Sequence, residues 1–284
     1  MPRAQRFGVS TALYQAQRLT RDHLREVAAG GFEVVELDAT PTHFDCRSDT
    51  SVADLRGWLA EGRLDLESVH APVAERFTGG RWGASLNLAS PDAEARQRAL
   101  DEALAALYVA RRLPYRTLVV HAGLVKAQQP GPGANNRDAA RRSIEALAEA
   151  AEPLGVGVAV ELVPNELSRA GSLVHFIEDV LEAGAASVCL DLGHARLEGD
   201  VVDVIETVAE HVVLVHAHDN RGRTDDHLLP FDGSIDWAAA MTALQKVGYD
   251  GPIVFEVTPQ GSTRETLARM KAVRGRLERL RDPF

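Results

Sequence analysis

Residues 187–220 read SVCLDLGHARLEGDVVDVIETVAEHVVLVHAHDN and contain two apolar runs on either side of a longer stretch. The runs at 187–193 and 212–218 are short and rich in β-branched residues, which is typical of buried strands. The stretch at 200–209 repeats apolar residues at helical spacing. The segment therefore predicts a strand–helix–strand unit, in which a right-handed crossover joins two parallel strands.

The same alternation occurs eight times along the 284 residues. Strands are predicted at 7–11, 34–39, 66–71, 117–122, 157–163, 187–193, 212–218 and 252–258. Helices are predicted near 20–29, 51–61, 92–112, 137–152, 172–183, 200–209, 236–247 and 262–281. Eight such units over this length predict an α/β protein, a single (β/α)₈ TIM barrel that forms one domain over residues 1–284. A doubly wound open sheet is the competing architecture, but no glycine-rich phosphate loop follows the first strand.

Composition and charge restrict the class of protein. Lys and Arg number 31 and Asp and Glu number 41, so the formal net charge is −10. Nucleic-acid binding draws most of its affinity from Lys and Arg, so this charge argues against a nucleic acid as partner. The sequence has no apolar run near the ~18 residues of a membrane span and no secretory signal. With only Cys46 and Cys189 as thiols, a disulfide framework is excluded, and we expect a cytoplasmic protein without a membrane partner.

Ionisable side chains gather at the C-terminal ends of the predicted strands, where barrel enzymes carry their reacting groups. The fifth, sixth and eighth strands end in Glu161, Asp191 and Glu256. Five of the ten histidines also lie at strand ends, namely His70, His121, His194, His216 and His218. Charged groups at the tips of apolar strands are costly unless they are paired, hydrogen-bonded or bound to a metal. Each residue alone also fits a structural role, but a shared divalent metal explains the whole set.

The donor types indicate which metals suit the set. Carboxylates together with imidazoles suit Zn²⁺, Mn²⁺, Co²⁺ or Mg²⁺, and the lack of ligating thiols argues against a structural zinc cage. Side chains alternate along a strand, so His216 and His218 share one face, and His216 points with the carboxylates. These donor types therefore predict a divalent-metal site. Two segments, around Gly79-Gly80 and at 129–135, are predicted to be loops over the barrel mouth.

Several motifs resemble the xylose-isomerase-like barrel superfamily along essentially the whole chain. They are VHAHDN at 215–220, DDH at 225–227, FDGSID at 231–236, CLDLGH at 189–194 and VFE at 254–256. The superfamily contains sugar and sugar-phosphate isomerases and epimerases, related dehydratases, and the type-four apurinic endonucleases. The motifs are specific for the superfamily but separate its members poorly.

The isomerase and epimerase branch implies one metal and two catalytic carboxylates. By this resemblance the ligands are Glu161, Asp191, His216 and Glu256, and Glu161 and Glu256 also transfer protons. The residue that matches His194 contacts substrate in that branch, as does an arginine after the seventh strand, for which Arg221 and Arg223 are candidates. We add His218 and Trp82 as candidate substrate-binding residues.

The endonuclease branch implies a larger site, in which nine residues hold three zinc ions. This sequence offers a residue for each place: His70, His121, Glu161, Asp191, His194, His216, Asp225, His227 and Glu256. Relatives of presumed isomerase type carry a similar Asp-x-His pair before a Leu-Pro-Leu-Gly-like stretch. Here that stretch reads LLPFDG at 228–233, so the nine matches support a multinuclear site without establishing DNA repair.

The leading hypothesis is a metal-dependent isomerase or epimerase of a small sugar, sugar phosphate or related polyhydroxy carbonyl compound. The alternatives are a dehydratase with the same machinery, a zinc-dependent apurinic-site endonuclease, and a non-catalytic metal-binding barrel. The two branches together imply one to three divalent ions, with zinc or manganese preferred. The sequence leaves open the exact substrate, the number of metals and the oligomeric state, so a homo-oligomer is compatible with it.

Overall fold

A closed barrel of eight parallel strands forms the centre of the computed structural model, which describes residues 5–128 and 130–281. The barrel strands are β1 (Phe7–Ser10), β2 (Val34–Asp38), β3 (Asp65–His70), β6 (Thr117–Val120), β7 (Gly157–Glu161), β8 (Ser187–Asp191), β9 (Val212–Ala217) and β10 (Ile253–Phe255). Each pairs with its neighbour in the chain, and β1 closes the circle against β10, with Val9 opposite Phe255. A short antiparallel hairpin, β4 (Phe77–Thr78) and β5 (Arg81–Trp82), stands outside this circle.

The α-helices of the described residues follow the strands in turn. They are α1 (Arg21–Ala29), α2 (Asp49–Gly62), α3 (Ala93–Leu107), α4 (Arg137–Ala151), α5 (Ala170–His175), α6 (Leu192–Glu198), α7 (Val201–Val208), α8 (Trp237–Lys246) and α9 (Thr263–Arg281). Side-chain oxygens of polar residues accept the first free amide hydrogens of several helices, as Asp92 does for α3 and Asp236 for α8. Such caps fix where a helix begins. Among the helices of the described chain, none has the length and apolar character needed to cross a membrane.

The predicted barrel is confirmed, and the differences from the predicted elements are local. The strand predicted at 187–193 ends at Asp191, because Asp191 caps α6 by accepting a hydrogen bond from the amide of His194. The helix predicted at 172–183 becomes α5 followed by a π-helical turn, Phe176–Val180. Gly79 and Gly80, predicted as loop, form the turn between β4 and β5 with φ values of 59° and 74°. Gln129 and the ends of the predicted domain, 1–4 and 282–284, lie outside the described residues.

The core has an outer and an inner part. The outer part lies between the strands and the helices and contains most of the buried apolar side chains. The inner part is a small cluster inside the barrel, formed by Val119, Ala159, Cys189, Leu214 and Val254. These five come from consecutive strands, β6 to β10, and fill the interior as expected for a barrel of this size. Because side chains alternate, the residue two positions further along each strand also points inward, one layer nearer the mouth.

Candidate metal centre

Strand alternation places ionisable side chains directly above the inner core. Two positions after the five core residues come, in the same strand order, His121, Glu161, Asp191, His216 and Glu256. In the same layer, β3 ends in His70. The ionisable side chains at the C-terminal ends of the strands therefore converge because they point into the barrel, like the core residues two positions before them.

The first ligand group consists of Glu161, Asp191, His216 and Glu256, whose candidate ligand atoms all lie within 4.8 Å of one another. His216 Nδ1 lies 3.1 Å from Glu256 Oε2, 3.6 Å from Glu161 Oε1 and 4.0 Å from Asp191 Oδ2. Among the described residues, His216 Nδ1, Asp191 Oδ2 and Glu256 Oε2 are buried and have no hydrogen-bond partner. Buried polar atoms of native proteins are normally satisfied, so three unsatisfied atoms directed at one point fit a divalent cation.

The second ligand group joins His70 and His121 to Glu161. The Nε2 atoms of the two imidazoles lie 2.8 Å and 2.9 Å from Glu161 Oε2. His70 Nδ1 donates to the carbonyl oxygen of Ala71 at 2.9 Å, which leaves its Nε2 free to bind a cation. Glu161 therefore stands between the two groups, with one oxygen directed toward each.

The third ligand group contains the three predicted ligands His194, Asp225 and His227, and His218 is its fourth member. The Nε2 atoms of His194 and His227 lie 3.0 Å and 3.2 Å from Asp225 Oδ2. Their Nδ1 atoms donate to the backbone carbonyls of Leu162 and Glu256, so both Nε2 atoms are available as ligands. His227 also adopts a left-handed backbone conformation with φ 43°, which is strained for a residue with a side chain.

His218 is fully buried next to this group. Its Nε2 lies 2.9 Å from Asp191 Oδ1, and its ring stacks on that of His227 with centroids 4.0 Å apart. Gly193 leaves room for it, because a Cβ at Gly193 would lie 2.0 Å from His218 Cε1. His218 is not among the described residues that line the cavity, so its contact with substrate stays a prediction.

Opposite charges perturb the pKa values across the site. Burial alone would raise the pKa of Glu161, but His121 and the hydrogen bonds of three imidazoles hold it well below its usual range. Burial alone would lower the pKa of His70 and His227, but the carboxylates Glu161 and Asp225, respectively, raise both to about 10. The carboxylates thus concentrate negative charge next to these imidazoles. Bound divalent cations would also neutralise this charge.

A cavity of about 520 Å³ opens above the ligand groups. Glu161, Glu256 and His194 line its floor, while Phe77 and Trp82 of the β4–β5 hairpin form part of its wall. The two aromatic rings lie 4.7 Å apart, and Trp82 is 47% exposed. A larger groove of about 610 Å³ lies between α2 and α3, but none of the candidate ligands lines it.

The structure brings all nine predicted ligands together, but it separates the predicted substrate-binding residues. His194 and Trp82 line the cavity, whereas Arg221 is exposed and is not among the described residues of its wall. Arg223 is likewise exposed. Sequence reasoning missed Glu36, a fully buried carboxylate on β2 that contacts His216. The available signal was a glutamate within the apolar run VVELDA, inside the strand rather than at its end.

The loop that carries Asp225 and His227 is anchored by Asp219. This fully buried carboxylate accepts hydrogen bonds from the backbone amides of residues 220, 231, 234 and 235 and from the indole nitrogen of Trp237. An isolated antiparallel bridge also joins Asp219 to Leu228. The loop is therefore held at both ends, which fixes the position of the third ligand group.

Comparisons with known proteins agree with this geometry. The ketose 3-epimerase of Arthrobacter globiformis is 26% identical over 260 residues, which cover 89% of this chain and 82% of that protein. The D-psicose 3-epimerase of Ruminiclostridium cellulolyticum is 26% identical over 247 residues, covering 82% and 76%, respectively. These similarities support the expectation of an isomerase or epimerase.

A solved structure shares the fold, and a family model identifies the family. The crystal structure of a D-tagatose 3-epimerase-like protein matches with a TM-score of 0.81 at 23% identity, over 98% of this chain and 99% of that one, and shows the same fold. The sequence model of the xylose isomerase-like TIM barrel family matches residues 24–273. The resemblance seen in the strand-end motifs is thereby confirmed, and the chain belongs to the xylose isomerase-like TIM barrel family.

Proposed function

We propose that this protein is a divalent-metal-dependent epimerase or isomerase of a small polyhydroxylated carbonyl compound. The observation that carries the proposal is the first ligand group, in which four consecutive strand ends bring their candidate ligand atoms within 4.8 Å of one another. Three of these residues have a buried atom without a hydrogen-bond partner among the described residues, and the two glutamates line the cavity. Carboxylate and imidazole donors favour Zn²⁺ or Mn²⁺ at this point. The ketose 3-epimerase relatives support the choice of reaction.

Glu161 and Glu256 would transfer the proton. When bound, a divalent cation polarises the carbonyl and neighbouring hydroxyl oxygens of a substrate and so acidifies the C–H bond next to the carbonyl. One glutamate removes that proton, and the other returns a proton to the opposite face of the resulting planar carbon. Both side chains line the cavity, and they extend from β7 and from the end of β10, with β8 and β9 between them. They therefore approach the shared point from two sides.

The cavity wall favours an unphosphorylated sugar over a sugar phosphate. Among its described residues there is no lysine or arginine, while Asp38, Asp225 and the two glutamates add negative charge. Phosphate recognition generally uses Lys, Arg or a helix N-terminus, and none of the wall residues supplies a cationic side chain of this type. Phe77 and Trp82 instead offer apolar faces to the C–H side of a sugar.

Solvent isotope exchange tests the proposed reaction. With the metal-loaded enzyme and free ketoses in deuterated water, we expect epimerised product that carries deuterium at the carbon next to the carbonyl. Glu161→Gln and Glu256→Gln keep the size but remove the base, so each should lower turnover by about 10² or more. Metal occupancy is measured on the same samples, because the substitutions also change ligands.

Two results would contradict this mechanism in different ways. Near-normal activity of both metal-replete glutamine variants would exclude proton transfer by the two carboxylates. Loss of activity in both variants, with a wild-type product that never gains deuterium, would favour a hydride shift in which the glutamates act only as ligands. A deoxy-dicarbonyl product, formed by loss of one water and tautomerisation of the resulting enol, in place of an epimer would identify a dehydratase.

A second candidate function is supported by the other two ligand groups. A site of several metals can activate water and stabilise a leaving alkoxide, which is the chemistry of a phosphodiesterase. All nine residues of such a site are present in three groups. The acidic cavity wall and the net charge of −10 place this candidate second.

A further inference from the structure

Glu36 is a buried carboxylate that the proposed proton transfer does not use. It lies on β2 between Val35 and Leu37, and its side chain is 0% exposed. Its Oε1 is buried and has no hydrogen-bond partner among the described residues. A carboxylate is costly to bury, and an apolar residue at this position would fill the barrel interior without that cost. We therefore expect Glu36 to have a role that requires a carboxylate and that an apolar side chain could not perform.

The contacts of Glu36 connect it to the first ligand group. Its Oε2 lies 2.9 Å from His216 Nε2 and also accepts a hydrogen bond from Ser68 Oγ at 2.7 Å. With Nε2 held against a carboxylate, His216 carries its proton there and keeps the lone pair on Nδ1. Nδ1 is the atom that faces Glu161, Asp191 and Glu256.

The other imidazoles are oriented differently. His70, His194 and His227 each donate Nδ1–H to a backbone carbonyl, of Ala71, Leu162 and Glu256, respectively, and direct Nε2 at the carboxylates. Of these four, His216 presents Nδ1, and its other ring nitrogen is hydrogen-bonded to a carboxylate instead of a backbone carbonyl. A carboxylate partner fixes the ring and increases the electron density on the ligating nitrogen more than a neutral carbonyl does.

We propose that Glu36 is a positioning residue that orients His216 and makes its Nδ1 a strong metal ligand, with Ser68 holding the carboxylate in place. The inference rests on the metal-binding part of the proposed function and is independent of the substrate. Glu36 acts through His216, since it lies beneath the cavity and is not among the described residues of its wall.

Metal affinity of matched variants tests this role. Zinc-loaded full-length protein is titrated with a chelator of known zinc affinity, and Glu36→Gln should bind zinc about 10- to 100-fold more weakly than wild type. Glu67→Gln is the control, because Glu67 is also a buried carboxylate but pairs with Arg6 and Arg116 at the other end of the barrel. Its zinc affinity should equal that of wild type. Ser68→Ala should weaken zinc binding less than Glu36→Gln.

A spectroscopic measurement distinguishes positioning from a general effect on folding. In long-range ¹H–¹⁵N spectra of the zinc-bound wild type, His216 should show a protonated Nε2 and a metal-shifted Nδ1. Zinc bound through Nε2, or zinc affinity of folded Glu36→Gln equal to that of wild type, would overturn the proposal. If Glu36→Gln fails to fold, the proposal is still tested by the wild-type spectrum, which shows which nitrogen of His216 binds zinc. None of these measurements uses a sugar, so absence of epimerase activity would contradict the proposed reaction and leave this inference standing.

Discussion

At the scale of single residues, the site depends on which atom of each side chain faces its neighbours. The sequence predicted the nine candidate ligands that the structure brings together, because strand ends in a barrel converge and because the motifs resemble a known superfamily. It did not predict Glu36, since its contact with His216 joins residues 180 positions apart across the barrel interior. It also could not assign the free nitrogen of each imidazole, which is set by partners such as the carbonyl of Leu162.

Removing Asp225 and His227 together tests the third ligand group. The double variant Asp225→Ala/His227→Ala should lower bound metal per chain, as measured by elemental analysis, while the first ligand group keeps its ion. The control is His175→Ala/Asp179→Ala, which removes an exposed His–Asp pair with a similar contact of 2.7 Å. Unchanged metal content in the first variant would show that Asp225 and His227 are not ligands.

The two thiols should react slowly in the folded protein. Burial raises the pKa of Cys46 to about 12, with a further contribution from Asp45, and burial also raises the pKa of Cys189. The thiolate is the reactive form, so little of either group is reactive at pH 8. We expect slow labelling by a disulfide reagent in buffer and rapid labelling of both thiols in denaturant. Rapid labelling of the native protein would show that Cys46 is more accessible than its packing indicates.

At the scale of elements, strands and long helices were predicted well because their apolar periodicity extends over enough residues. The short α6 was missed, since its seven residues follow β8 without a gap and begin with the apolar Leu192. What favours a helix there is the Asp191 cap and the space that Gly193 leaves for His218, a packing feature that no local pattern reveals. The β4–β5 hairpin was missed for a related reason, because two-residue strands have no periodicity.

Asp219 should dominate the stability of the loop before α8. Asp219→Ala would leave the buried amides of Asn220 and Ile235 and the indole of Trp237 without their acceptor. Each unsatisfied buried donor costs about 1–3 kcal/mol, so we expect a loss of about 3 kcal/mol or more in the free energy of unfolding. Asp236→Ala, which removes only the exposed cap of α8, should cost about 1 kcal/mol. Urea unfolding measures both, and equal losses would contradict the anchoring role of Asp219.

At the scale of the whole molecule, the net charge and the charge of the cavity wall distinguish the epimerase from the phosphodiesterase. A net charge of −10 and an acidic cavity wall suit a neutral polyol bound through a cation. They oppose a polyanionic duplex, because phosphate contacts need Lys and Arg side chains. The sequence provided the net charge, but only the fold shows that no described arginine or lysine faces the cavity.

Duplex DNA should therefore bind weakly at physiological salt. Fluorescence anisotropy with an abasic duplex and with the intact duplex of the same sequence measures this directly. We expect little binding of either and no incision of the abasic strand. Tight, salt-dependent binding of the abasic duplex, with incision that a chelator abolishes, would make the phosphodiesterase the better assignment.

The first ligand group takes its residues from the ends of the last four barrel strands, and Glu256 comes directly after the last of them. During synthesis, Glu161, Asp191 and His216 emerge from the ribosome before Glu256 does, and β1 must wait for β10 before the barrel can close. The complete metal centre therefore cannot exist on a nascent chain that lacks its C-terminal segment. On the proposed function, metal acquisition would therefore follow synthesis of Glu256 and barrel closure, and a chain terminated before Glu256 would lack the fourth candidate ligand.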